Sequence, residues 1–151
     1  MLIVLIFFFL ITMVDTENIT IRKVLNTDYR FLFNLLKERD PKANISHKKM
    51  PTFSEHVKFI ESKPYSKWYI VEFGRKKIGS VYLSKNDEIG IFLKKDFHRK
   101  NLGKTALELL IKKNPRTRYL ANVNPKNIAS GKFFKNNNFK LIQHTYELEV
   151  E

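Results

Sequence analysis

The stretch from Glu88 to Leu110, EIGIFLKKDFHRKNLGKTALELL, constrains this chain more than any other. An apolar run short enough for a strand leads through a basic turn into Leu102, Ala106, Leu109 and Leu110, which recur at helical spacing. A strand therefore feeds a helix through a cationic turn. The first amides of a helix have no intrahelical partner and carry partial positive charge, so such a turn suits an anion. Asn101 and Gly103 in the turn both tolerate positive φ, which lets successive amides point the same way.

The rest of the chain supplies elements to pack against this unit. Ile19 to Val24 alternates as a first strand, and Thr27 is the expected cap of a helix with Phe31, Leu32, Leu35 and Leu36 on one face, ending near Asp40 and Pro41. Thr52 and Glu55 have capping-box spacing, and Phe53, Val57 and Ile60 give a second amphipathic helix ended by Pro64. Strands follow at Lys67–Phe73, Lys77–Ser84 and Asp87–Leu93, joined by connections short enough for hairpins. Beyond the central helix, Arg118–Val123 reads as a strand. Asn124-Pro125 reads as the cap and first residue of a fourth helix running to about Asn137, with Asn138 able to end it in the left-handed region. Phe139–Val150 is expected as a closing strand or hairpin pair. The fold class is α+β: a central mixed, mostly antiparallel twisted sheet of six to seven strands flanked by about four helices.

A chain of 151 residues suits one domain, and 43% hydrophobic with 28% charged residues is ordinary for a globular protein. With no cysteine there is no disulfide, no Cys-ligated zinc and no cysteine acyl-enzyme, so an intracellular, cytoplasmic protein without a metal is expected. The formal net charge of +13 favours anionic partners and leaves nucleic acid, membrane surface and phosphorylated cofactor open. Residues 1–14, MLIVLIFFFLITMV, are apolar and uncharged, shorter than the ~20 residues of a spanning helix, and lack a basic n-region. Because Met13 offers a natural start, they are expected to be an upstream extension of the reading frame; a membrane anchor or signal segment, and a packed extra element, are the alternatives. Residues 17–151 form the single domain.

The basic turn resembles the coenzyme-A pyrophosphate loop of the GNAT acetyltransferase superfamily, whose pattern is Gln or Arg, two residues, Gly, one residue, then Gly or Ala. It falls on His98, Arg99, Lys100, Asn101, Leu102 and Gly103, with His98 in place of Gln or Arg and Asn101 in place of the first Gly. Asn127-Ile128-Ala129-Ser130, Phe133-Phe134-Lys135 and Asn138-Phe139 resemble the family's closing segment. The element order β-α-α-β-β-β-α-β-α-β, reached without the loop motif, is also the family's.

What the resemblance implies is an acetyl-CoA-dependent N-acetyltransferase, moving an acetyl group to a primary amine by direct transfer in a ternary complex. Coenzyme contacts are expected from Phe92, Leu93, His98, Arg99, Lys100, Asn101, Leu102, Gly103, Lys104 and Asn127, with Lys94 and Lys95 adding positive potential. A backbone N–H near Leu93 would polarise the thioester carbonyl where this strand splays from Ala121–Val123. Glu88 is the candidate general base, since an ammonium must lose a proton before it attacks; the competing reading makes it a solvated hairpin end. His47, Tyr82 and, less directly, His56 are candidates for the acceptor side. Phe134 stands where many family members carry a Tyr proposed to return a proton to the coenzyme thiolate, which a phenyl ring cannot do. No metal is implied.

Two other readings stand beside this one. A basic nucleic-acid-binding module accounts for the charge but has no recognisable motif, so a nucleic-acid partner is not expected. A non-catalytic acyl-CoA-binding protein of the same fold accounts for the altered loop and the missing Tyr. The basic surface favours a phosphorylated acceptor such as a nucleotide-linked amino sugar over a polycation. Monomer and homodimer are both open.

Overall fold

A computed structural model of the chain describes residues 18–39, 49–98 and 101–150. Period-two alternation builds four antiparallel strands in the order β1-β2-β3-β4: β1 (Ile19–Lys23), β2 (Lys67–Phe73), β3 (Lys76–Leu83) and β4 (Ile89–Leu93). Ile19 pairs with Phe73, Trp68 with Tyr82 and Tyr82 with Gly90, so Trp68, Tyr82 and Gly90 form one row across a single face. The expected sheet of six to seven strands is thus four-stranded among the described residues. Beyond β4 the chain at 120 touches the sheet through one parallel bridge, Glu88 to Leu120, and residues 121–124 join no ladder.

Helices α1 (Tyr29–Glu38) and α2 (Phe53–Glu61) cover the face carrying Trp68 and Ile70, where Leu32, Ile60 and Ile70 form a small core. The opposite face, with Tyr69, Val71, Val81 and Leu83, is covered by α3 (Leu102–Lys113) through Leu102, Ala106, Leu107 and Leu110. Leu107 rather than Leu109 completes the buried stripe. Burial of each large aliphatic here contributes roughly 1.5–3 kcal/mol. The last helix, α4 (Ile128–Asn136), brings Phe133 against the start of α3.

Three local expectations are corrected. Thr27 does not cap α1; a 3-10 turn over Asn26–Asp28 precedes it, and Asp28 stands at the N-cap without capping. Its carboxylate is taken instead by Arg22 (2.7 and 3.0 Å), Lys77 (2.7 Å) and the Leu25 N–H (2.8 Å), because charge-assisted bonds outcompete a neutral cap. The last helix begins at Ile128, not Pro125: Asn124 accepts from the Lys126 N–H (3.0 Å) in a tight turn, and Asn127 becomes the cap, accepting from the Ser130 N–H (3.0 Å). Among the described residues Phe139–Val150 pairs as neither a strand nor a hairpin. The Thr52–Glu55 capping box and the left-handed Asn138 (φ 66°) match expectation.

Candidate functional site

The single bridge at Glu88 and Leu120 leaves one edge of β4 open toward Gly103. Antiparallel pairing alternates which residues bond to the neighbour. Ser84 N–H donates to Glu88 O and Lys94 N–H to Ile78 O, so Glu88, Gly90, Phe92 and Lys94 turn their backbone groups toward β3. Ile89 turns the other way, donating to Leu120 O at 2.7 Å. By the same alternation Ile91 and Leu93 present N–H and C=O to the opening, where among the described residues no backbone acceptor meets their N–H groups. Leu93 is thus where the sequence reading put a donor. The Phe92 backbone is turned toward β3 and its side chain lies on the face of Glu88 and Gly90. Ile91 is the backbone position the sequence reading missed; only the register could reveal it.

At the far end of this edge the chain turns into α3. Asn101 is left-handed (φ 56°, ψ 10°) and makes no side-chain cap, so the amides of Leu102, Gly103 and Lys104 open the helix without one. Asn is among the few non-glycine residues that hold this conformation cheaply. A Cβ on Gly103 would lie 3.1 Å from the Phe133 ring, so glycine lets α4 rest against the start of α3. His98 Nε2 lies 2.6 Å from the Leu93 carbonyl, which requires the Nε2–H tautomer as donor and ties the turn to the end of β4. Lys104 is exposed, with Glu108 at 3.9 Å, a pair weak enough to leave the ammonium available to an anion. Arg99, Lys100 and His47 lie outside the described residues.

Glu88 sits where the sheet parts. Its carboxylate accepts from Ser84 Oγ (3.1 Å) and, across the opening, from Asn122 Nδ2 (2.8 Å). It is half-buried and held in place rather than a free hairpin end. Along the same face, the Tyr82 ring reaches over Gly90, where a Cβ would lie 2.0 Å from Cζ. Tyr82 stacks on Tyr65 at 3.7 Å, and Tyr65 meets Trp68 edge-on at 4.8 Å. Burial, helped by the charge and hydrogen bond of Tyr82, pushes the Tyr65 phenol well above its ordinary value, so it stays protonated. An aromatic wall therefore borders the carboxylate.

His56 is elsewhere. It lies on α2 between Phe33 and Phe59, 6% exposed, with no partner for Nε2 among the described residues, and burial lowers its pKa. Asn127 spends its carboxamide oxygen on the cap of α4, which leaves its N–H groups as donors. Phe134 is buried between Phe133 and Phe139. Among the described residues no group of His, Asp and Glu is placed to hold a metal ion, and no helix is long and apolar enough to cross a membrane.

The family model described as "Acetyltransferase (GNAT) family" matches residues 27–139. A domain from Methanocaldococcus jannaschii DSM 2661 superposes with a TM-score of 0.72 at 25% identity, covering 85% of this chain and 92% of its own. An N-acetyltransferase from Staphylococcus aureus Mu50 gives 0.64 at 20% identity, over 82% and 84% of the two chains. An aminoglycoside N-acetyltransferase in complex with CoA gives 0.65 at 16% identity, over 87% and 94%. No curated protein matches the chain.

Proposed function

Because this chain belongs to the GNAT acetyltransferase family, we propose that it carries an acetyl group from acetyl-CoA directly to a primary amine, with both substrates bound at the parting of the sheet. The observation that carries this reading is the alignment of two features on one open edge: the Ile91 and Leu93 amides of β4, and the left-handed Asn101 that starts α3.

The amides of Leu102, Gly103 and Lys104 meet the coenzyme diphosphate, and Arg99, Lys100 and Lys104 supply the opposing charge. The pantetheine arm follows the β4 edge, bonded by Leu93 and by the N–H groups of Asn127. One of the two edge amides polarises the thioester carbonyl and steadies the oxyanion that develops on it. Glu88, fixed by Ser84 and Asn122, takes the proton of the attacking ammonium directly or through water. The C–N bond forms first, giving a tetrahedral intermediate; as that collapses the C–S bond breaks and the nitrogen gives its remaining extra proton to water. With Phe134 lacking a hydroxyl, the leaving thiolate takes its proton from solvent or from another side chain.

The acceptor enters over the face carrying Glu88 and Tyr82. The formal net charge of +13 supports a small acceptor that carries negative charge, such as a nucleotide-linked amino sugar, over a polycation. Absence of cysteine supports a cytoplasmic setting. The buried Phe134 favours one second reading, a coenzyme-binding protein without turnover.

One pair of measurements separates these. Calorimetric titration with acetyl-CoA should give saturable binding that Arg99→Ala with Lys100→Ala weakens, and an amine panel read by thiol release should identify an acceptor. Unchanged affinity in that double variant counts against the phosphate cradle. Saturable binding with no thiol release from any amine favours the second reading.

A further inference from the structure

The described carboxylates that are at least half-buried are Asp28, Glu38, Glu72, Asp87 and Glu88. Four of them are paired: Asp28 and Glu72 with Arg22, Asp87 with Arg116 and Glu38 with Lys94. Glu88 stands apart. In a chain of formal net charge +13, no cation among the described residues pairs with it, and its bonds come from two neutral groups, Ser84 Oγ at 3.1 Å and Asn122 Nδ2 at 2.8 Å. A carboxylate drawn partly out of water without an opposite charge is costly, so a cation is what this position lacks.

The two neutral partners differ. The Ser84 hydroxyl is fully used: it gives its hydrogen to Glu88 and accepts from the amides of Asn86 and Glu88, each at 3.1 Å. Asn122 is not. A carboxylate only accepts, so the carboxamide must turn its nitrogen to Glu88, which points Oδ1 elsewhere. Asn122 is exposed, and among the described residues nothing donates to that oxygen. Its place matters as much. Counting on in parallel from the Glu88–Leu120 bridge brings Asn122 level with Gly90, one residue before Ile91, whose amide faces the opening. Over Gly90 lies the Tyr82 ring, its hydroxyl where a Cβ would stand, and this closes the β3 side. A group that meets both Glu88 and Asn122 Oδ1 is therefore held between the carboxylate and the edge amide.

We propose that Asn122 is an acceptor-binding residue: its Oδ1 accepts an N–H of the acceptor's ammonium while its Nδ2 holds Glu88. The inference rests on the transfer reading above and names a residue that receives the amine. The ammonium brings the charge that Glu88 lacks and has a further N–H for Asn122. When one proton passes to Glu88, the nitrogen keeps its N–H on Oδ1 and gains the lone pair that attacks the thioester carbon. An alcohol has one hydrogen to give. Glu88 would take it and leave Oδ1 without a donor, so the two side chains together select nitrogen over hydroxyl acceptors.

Because Ser84 and Asn122 both support Glu88 but only Asn122 has an oxygen to spare, comparing them separates holding the base from binding the amine. The probes are n-butylamine, tyramine, spermidine and glucosamine 6-phosphate at saturating acetyl-CoA, read by thiol release. Ser84→Ala should lower kcat and leave the amine KM within about twofold of wild type. Asn122→Leu, at an exposed position, should also lower kcat but raise the amine KM about tenfold, with acetyl-CoA affinity by calorimetry unchanged. An amine KM that Asn122→Leu leaves unaltered, or that both variants raise equally, overturns the proposal and leaves acetyl transfer standing. So does an Asn122→Leu variant that weakens acetyl-CoA as much as the amine, since the carboxamide would then serve the coenzyme. A wild-type chain that binds acetyl-CoA and releases no thiol with any probe removes the transfer reading itself, and this inference with it.

Discussion

The two ends of the sheet are built on opposite principles. At the β1 end a fully buried Asp28 ties Arg22 of β1, Lys77 of β3 and the turn before α1 together, with Arg22 also bonded to Glu72 of β2 at 2.9 Å. At the β4 end one bridge holds residue 120 to the sheet, and the amides of Ile91 and Leu93 face an opening. Paired charges at a buried carboxylate make the first region a support. Unspent backbone donors at the second are where the proposed ligand would complete what the fold leaves undone. The contrast separates stability from chemistry spatially, and substitutions should respect it.

Asp28→Ala attacks the closed end hardest, because it strands two cations and the Leu25 amide; a loss of about 3 kcal/mol in denaturant unfolding is expected, with acetyl-CoA affinity below the transition unchanged. A loss of affinity that accompanied it would mean that the two ends are coupled. Glu88→Gln tests the open end: it should lower the rate of acetyl transfer on the order of 100-fold while leaving coenzyme affinity and unfolding close to wild type. Full activity across the pH range would remove Glu88 from the chemistry.

Asn101→Val, a β-branched residue forced left-handed, should cost roughly 1–3 kcal/mol locally and weaken the coenzyme, whereas Asn101→Gly should bind normally. Equal binding by both would show that the turn does not shape the site.

The mildest lever is pH. Asp28's carboxyl is raised by burial but lowered further by the hydrogen bonds of Arg22, Lys77 and the Leu25 amide and by the charge of Arg22, so its net pKa lies well below the carboxylate range. Its stabilisation is present above its unfolded value of about 4 and lost as pH falls through the folded one. His56, kept neutral by burial, also has a lowered pKa, so stability falls as pH drops below about 6.5. The melting temperature should therefore be flat from neutrality to about pH 9, below the ordinary tyrosine range, sag below about 6.5 and fall again below about 4. His56→Phe should abolish the first step and Asp28→Asn the second; a melting temperature that ignored both variants would refute the assignment.

Much of this could be read from residue order. The capping box at Thr52, the meander from Lys67 to Leu93, the left-handed Asn101 and Asn138 and the strand-turn-helix at the centre are local matters, decided by side chains a few positions apart. The misplacements have one cause. Thr27 and Asn124 each had a cap's chemistry, but Asp28 was claimed by Arg22 and Lys77 while Asn124 closed a turn of its own, so other positions opened the helices.

The sequence by itself determined the order of elements from Ile19 to Lys113 and most of their buried faces, because periodicity and turn chemistry act within a few residues along the chain. Only the tertiary structure decided that Ile91 rather than Phe92 shows its amide to the opening, that Asn122 reaches across to Glu88, and that Tyr82 lies over Gly90. Those facts depend on strand register, in which a shift of one residue exchanges the faces of the strand and redirects its backbone groups, and register is set by partners distant in sequence.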